Sequence, residues 1–327
     1  MLKLKYLFEN YDLARECLAL YDYDEESLEQ MLSFFRISSN AIYPFRNKMD
    51  KNEVCFLRLS PSEEKTFSSV ITEIHLIQWL MDKGFPVMRP VTMKHGEFAK
   101  EVCTEWGTYN VSCFAKVPGN SLEDTEGNPD VVRGYGRILG QFHRLMKEYP
   151  YSEEHRSHKD LLKEIEDRLQ TYGAPEEVCA EYRAVCRELE QLAISSANYG
   201  VIHYDFEQDN VFYDAKRDSF SVIDFDDAIC CWYALDIVRA LDSLDDVMNG
   251  CDMEHAERVF LEGYQEETDL TAEQIESFFL MRRFVRLQEY MTIRHVLSEP
   301  IGEMPDWMKG LIQKLQYKAG CLEKAME

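Results

Sequence analysis

The chain has 327 residues, of which 45% are hydrophobic, and a formal charge of −24. That length suits one large domain or two lobes with a sizeable core, and the hydrophobic fraction excludes disorder as the default. A surface this negative repels nucleic acid and anionic membrane, which argues against both as partners.

In chain order, Leu7, Tyr11, Ala14 and Leu18 recur at helical spacing, and Leu28, Met31 and Leu32 continue the stripe. One or two helices are therefore predicted over residues 1–31. Residues 32–37 read as a strand, Ser38-Ser39-Asn40 as its turn and residues 41–45 as the partner strand. The next strand, over 54–59, carries Arg58. A helix follows over 66–83, with Val70, Ile74, Ile77 and Leu80 on one face and Glu73 on the same helix. Gly84 closes it and Pro86 prevents its resumption. Residues 98–106 and 109–117 read as strands joined by a turn at Gly107-Thr108, and they run into the segment Cys113-Phe-Ala-Lys-Val-Pro-Gly-Asn.

Asn128-Pro129 opens a helix to about residue 147, with proline at its first position. Its Leu139, Phe142, His143 and Met146 make an apolar face, on which His143 reads as a buried histidine. Residues 157–196 give two charged amphipathic helices broken at Gly173-Ala174-Pro175. His155 and His158 lie three apart but lack neighbours in sequence to complete a metal site. After residue 230 the chain reads as helical to its end, with Thr271 and Gln274 in a capping-box pattern. Arg282, Arg283, Arg286 and Arg294 read as offsetting nearby acidic charge. There is no run of about eighteen apolar residues, and the start MLKLKYLFENYD meets charge too early for a signal peptide. The ten cysteines are scattered without a Cys-x-x-Cys, so they read as reduced thiols in a cytoplasmic protein.

The stretch around which the rest is arranged is residues 200–227, GVIHYDFEQDNVFYDAKRDSFSVIDFDD. Val201-Ile202 lead into His203-Tyr204-Asp205, and Asn210 precedes a short strand over 211–213. A polar turn over 214–219 returns through 220–223 to Asp224. Such a hairpin holds Asp205, Asn210 and Asp224 at one mouth. Phosphoryl transfer needs that set: a carboxylate to orient the attacking hydroxyl, and oxygen ligands for Mg²⁺ on the phosphates.

The run His203-x-Asp205-x-x-x-x-Asn210, the hairpin, and Ile223-Asp224-Phe225-Asp226 resemble the catalytic core of the aminoglycoside phosphotransferase and choline kinase group. These are small-molecule kinases. The resemblance implies an α+β, two-lobed protein-kinase-like fold, with a small β-rich N-lobe over 1–114 and a larger, mainly helical C-lobe over 115–327. Asp205 then corresponds to the catalytic base, supported by His203, and Asn210 and Asp224 to the Mg²⁺ ligands. Asp236 corresponds to the aspartate that braces the catalytic loop. In the N-lobe, Ser38, Ser39 and Asn40 would cover the ATP phosphates. Arg58 would stand for the phosphate-pairing lysine and Glu73 for its partner, and the adenine edge would meet backbone groups near Phe114 to Lys116. The chain departs from protein kinases at Asp226, where they carry glycine, and at Glu207, where they carry lysine or arginine. Only a few residues separate Asp227 from the apolar run that starts at Cys231, too few for an activation segment.

The function implied is ATP- and Mg²⁺-dependent transfer of the γ-phosphoryl group to a hydroxyl of a small molecule. Residues 200–270 hold 19 acidic and 4 basic side chains, against 10 and 8 in residues 1–60. That asymmetry predicts a cationic, amine-bearing acceptor, with Glu207 and Asp227 as near contacts. Three alternatives stay open on the residues alone. Arg58 in place of lysine suits a non-catalytic nucleotide-binding module. Asp224, Asp226 and Asp227 could serve a metal-dependent phosphohydrolase. The acceptor could equally be of the homoserine or choline type.

Overall fold

The computed structural model describes residues 9–33, 36–37, 40–125, 128–248, 252–298 and 306–326. Helix α1 (Tyr11–Leu18) starts at Asn10, whose side chain accepts the Leu13 N–H and so satisfies one orphan donor of the first turn. Helix α2 (Leu28–Leu32) follows. Leu28 and Leu32 are one helical turn apart, and both are buried in the same cluster as Tyr43 and Phe45. Leu32 therefore ends a helix and does not begin the predicted strand over 32–37; among the described residues of that range, Arg36–Ile37 form β1. Ser38 and Ser39 lie outside the described residues.

β1, β2 (Ala41–Arg46), β3 (Val54–Pro61), β4 (Ala99–Thr104) and β5 (Gly107–Ala115) make one antiparallel sheet in the order β1-β2-β3-β5-β4. Between β3 and β4, helix α3 (Phe67–Asp82) is capped by Thr66, whose side chain accepts the Ser69 N–H. Its Val70 and Ile74 pack with Ala99. Its Leu76, Ile77 and Leu80 instead join Phe85, Met88 and the core of the second lobe. One helix is thus apolar on two sides, and that ties the lobes together.

The second lobe begins with β6 (Asn120–Ser121) and α4 (Pro129–Met146), which starts with Asn128 as cap and proline in its first turn. Next come α5 (His158–Tyr172), α6 (Glu176–Leu189), β7 (Tyr199–Ile202), β8 (Val211–Asp214), β9 (Ser219–Val222) and β10 (Ile229–Trp232). Helices α7 (Tyr233–Met248), α8 (Met253–Gln265), α9 (Ala272–Glu276), α10 (Phe278–Val296) and α11 (Asp306–Lys324) complete it. β8 and β9 form the expected hairpin, and β6 adds to it. β7 pairs with β10, so the apolar run from Cys231 is divided between a strand and a helix. The fold is α+β, with a small antiparallel sheet lobe and a larger, mainly helical one. The lobes also meet through backbone: Met88 N–H donates to Val222 O and Val222 N–H to Pro86 O. Among the described residues no helix is long and apolar enough to cross a membrane.

Helices α4 and α8 cross at near backbone contact. A Cβ on Gly136 would lie 1.9 Å from Phe260 O, and one on Gly263 would lie 2.0 Å from Arg133 O. Backbone cannot yield as a flexible side chain does, so Gly136→Ala should destabilise the protein by at least ~1–3 kcal/mol in denaturant unfolding. Gly310→Ala, on α11 with no atom within 4 Å of the new methyl, should be neutral or stabilising.

Candidate active site

The segment 203–210 connects β7 to β8, and its conformation is set from below. Asp236, in the first turn of α7 and fully buried, accepts the His203 N–H at 2.8 Å and the Tyr204 N–H at 2.7 Å. His143 Nε2 lies 3.2 Å from the same carboxylate, and His143 Nδ1 lies 2.9 Å from Tyr264 Oη. Burial lowers the His143 pKa, which suits a neutral ring donating through Nε2 and accepting through Nδ1. Tyr204 is held at φ 74°, a left-handed conformation costly for a non-glycine residue. His203 Nε2 donates to Ile223 O at 2.9 Å, which links the loop to the end of the β8–β9 hairpin.

Asp205 stands at the rim, its side chain 37% exposed. Its Oδ2 accepts from Asn210 Nδ2 at 3.1 Å, and its Oδ1 accepts from Arg239 Nη2 at 2.7 Å. Asn210 is adjacent to the returning strand, because Ile223 N–H donates to Asn210 O at 3.0 Å. Asp224 follows at once, with φ 65° and a side chain 33% exposed. The hairpin therefore brings Asp205, Asn210 and Asp224 to one mouth. Among the described residues the nearest cationic group to Asp224 is Arg58 Nη1, at 3.9 Å.

Behind this mouth lies a charge cluster that crosses between the lobes. Arg58 on β3 forks onto both oxygens of Glu73 on α3, with Nη1 at 2.9 Å from Oε1; both side chains are buried. The guanidinium also lies 4.7 Å above the Phe114 ring. Asp226 is held by Lys65, which bonds both its side chain and its backbone oxygen, and by Asn40 Nδ2 at 2.7 Å. Ser60 Oγ fixes Asn40 in turn. Neighbouring carboxyls consequently titrate apart. Desolvation and the charge of Asp226 push Asp224 well above the usual carboxylate range, against the pull of Arg58. Burial would also raise Asp226, but Lys65 and Arg58 hold it well below that range.

Of the other expected site residues, Lys116 is exposed. Its backbone N–H goes to Val54 O and that of Ala115 to Arg89 O, so both donors are taken within the protein. Glu207 is partly exposed, and its Oε1 accepts from Arg239 at 2.8 Å; burial pushes its carboxyl up to about 7. Arg282 and Arg283 pair with Asp242, Glu181 and Glu188, while Arg286 and Arg294 donate to backbone carbonyls. Lys65 and Arg239 carry no motif and escape a sequence reading. Their carboxylate partners lie 161, 34 and 32 positions away.

Among the described residues no group of three or more His, Cys, Asp and Glu side chains could enclose a metal ion. Asn210 and Asp224 offer instead a two-residue oxygen set. That suits Mg²⁺, which keeps waters and completes its shell on substrate phosphates. Asn210 commits its amide nitrogen to Asp205, so its side-chain carbonyl oxygen is the atom that would be left to bind a cation. A divalent cation would also hold Asp224 ionised against Asp226.

The Arg58–Glu73 pair generates a stability prediction. Arg58→Met leaves a buried carboxylate without its partner and should cost ~3–5 kcal/mol in denaturant unfolding, with Arg58→Met/Glu73→Leu recovering most of it. A double variant as unstable as the single one would move the cause to Asp224 and Asp226.

Comparison with known proteins gives the family. The family model described as "Phosphotransferase enzyme family" matches residues 45–269. Amicoumacin kinase of Bacillus subtilis (strain 168) is 23% identical over 305 residues, covering 90% of this chain and 85% of the relative. Among solved structures, an amicoumacin kinase in complex with AMP-PNP, Ca²⁺ and Ami superposes with a TM-score of 0.78 at 18% identity, over 98% of this chain and 95% of that one. A microcompartment-associated aminopropanol kinase gives 0.68 at 18% identity, over 96% and 95% of the two chains. Spectinomycin phosphotransferase in complex with ADP and spectinomycin gives 0.60 at 13% identity, over 97% and 99%. The chain belongs to the phosphotransferase enzyme family and is a phosphotransferase of the aminoglycoside phosphotransferase-like group of kinases.

Proposed function

We propose that this enzyme transfers the γ-phosphoryl group of ATP, in a Mg²⁺-dependent reaction, to a hydroxyl of a small amine-bearing molecule. The observation that carries this is the mouth itself: an exposed Asp205 carboxylate beside the oxygen pair Asn210 and Asp224. Asp205 is the base. It orients the acceptor hydroxyl and takes its proton late, as a loose phosphoryl-transfer transition state requires. His203 and Asp236 hold the loop that presents it. Mg²⁺ on Asn210 and Asp224 supplies neutralisation of charge developing on the phosphates. Among the described residues, Arg58 lies 3.9 Å from Asp224 and Lys65 3.7 Å from Asp227, and Glu73 and Asp226 aim them. Asn40, immediately before β2 and held by Asp226 and Ser60, covers the phosphates through its backbone. The adenine lies along the connector from Phe114 to Lys116, where the N–H groups of Ala115 and Lys116 are not available to it.

The charge of the acceptor follows from the field around Asp205. The 19 acidic and 4 basic side chains of residues 200–270 attract cations to this lobe. With Glu207 bonded to Arg239, Asp227 is the more open carboxylate beside the mouth, 47% exposed and 3.7 Å from Lys65. Aminopropanol, the substrate named for one structural neighbour, carries both an amine and a hydroxyl.

ADP release over a panel of hydroxylated amines tests the assignment. Asp205→Asn should keep nucleotide affinity while turnover falls ~10²–10⁴-fold, the range for losing a general base. Turnover at the wild-type rate in that variant would remove Asp205 from the mechanism. An amine acceptor should outperform its N-acetylated analogue, and the advantage should shrink as salt screens steering beyond a Debye length of about 8 Å. Equal rates for the two acceptors at low salt would overturn the amine assignment and leave the kinase reading intact.

A further inference from the structure

Arg239 lies on α7, three residues after Asp236. The same helix that binds the backbone of the loop thus also binds the carboxylate of Asp205. One nitrogen, Nη2, donates to Asp205 Oδ1 at 2.7 Å and to Glu207 Oε1 at 2.8 Å. The guanidinium rests 5.1 Å over the Tyr204 ring, and the side chain is only 9% exposed. Among the described residues, Nε and Nη1 are buried and have no acceptor. A buried donor left unmade costs ~1–3 kcal/mol, so an arginine kept only for the fold would have its fork better satisfied. This one is under-satisfied everywhere except at the two loop carboxylates.

Glu207 accepts from the same nitrogen, so the guanidinium is shared between the two loop carboxylates and is held in place from both. The two oxygens of Asp205 also become unequal. Oδ1 takes a charge-assisted bond from a rigid, buried fork, whereas Oδ2 has a longer, neutral bond from Asn210. We propose that Arg239 is a positioning residue for phosphoryl transfer: stacked on Tyr204 and held by Glu207, it fixes Asp205 through Oδ1 and leaves Oδ2 as the oxygen that takes the acceptor proton.

This rests on the reading of Asp205 as the base, and a mutant cycle separates the two. Arg239→Ala should lower kcat about 10²-fold, the scale of a misplaced catalytic group, while KM for ATP and nucleotide affinity stay within about twofold. Guanidinium at millimolar concentration should restore part of the lost kcat, and equal ionic strength as sodium chloride should not. In an Asp205→Asn background the same change should have little further effect, since Arg239 acts through Asp205. If Arg239→Ala fails to fold, Arg239→Lys serves: an ammonium on a shorter stem lacks the planar group that rests over Tyr204, so kcat should still fall about tenfold with KM for ATP unchanged. An Arg239 variant that folds and turns over within about twofold of wild type overturns the proposal, as does full additivity with Asp205→Asn. An Asp205→Asn enzyme at wild-type rate strikes instead at the base assignment.

Discussion

Asp236 is a carboxylate with no exposure, and a buried charge is tolerated only where donors surround it. Here the donors are the N–H groups of His203 and Tyr204 and the ring of His143. Those two N–H groups open the segment that carries Asp205, so the charge on α7 and the path of the loop determine each other. The left-handed Tyr204 backbone follows from the same bonds, since the chain must turn sharply for consecutive amides to reach one carboxylate. His203 then carries the constraint to Ile223 and so to Asp224. Moving Asp236 would move Asp205, His203 and the hairpin mouth together.

The second constraint crosses between the lobes. Asp226 in the hairpin lobe is held by Lys65 and Asn40 from the sheet lobe, and His295 on α10 meets Glu64 at 3.2 Å. Backbone bonds between residues 86–88 and Val222 fix the opposite side. Charges that face the cleft and strand edges behind it therefore set the lobe closure jointly. Within the cleft, Asp224 and Asp226 sit two residues apart with their pKa values pushed in opposite directions, because Lys65 and Asn40 bond Asp226 directly whereas desolvation and the charge of Asp226 outweigh the more distant cations at Asp224. Unequal carboxyls of this kind are what a site needs to offer one ligand to a cation while keeping another as a structural counter-ion.

Much of this was legible in the chain. The 3.6-residue stripes of α3 and α4, the polar turn between β8 and β9 and the Thr271 cap each follow from local physical chemistry, as does the spacing of Asp205, Asn210 and Asp224. The misread lay at Leu32, whose apolar side chain suits a strand as well as a helix. The decision was made by the pocket between α2 and the sheet that buries it with Leu28. The split of the run from Cys231 into strand and helix likewise depended on β7 being available as a partner, which no local pattern announces.

The sequence by itself determined the class of chemistry, because phosphoryl transfer constrains residues that lie close together along one loop and one hairpin. Tertiary structure alone decided the charge partners. Lys65 reaches Asp226 across 161 positions, and Arg239 reaches Asp205 across 34. It also gave the partly exposed Glu207 a partner in Arg239. Ion pairs have no periodicity and no required spacing. They form wherever folding brings opposite charges out of water together, and only the folded chain specifies where that is.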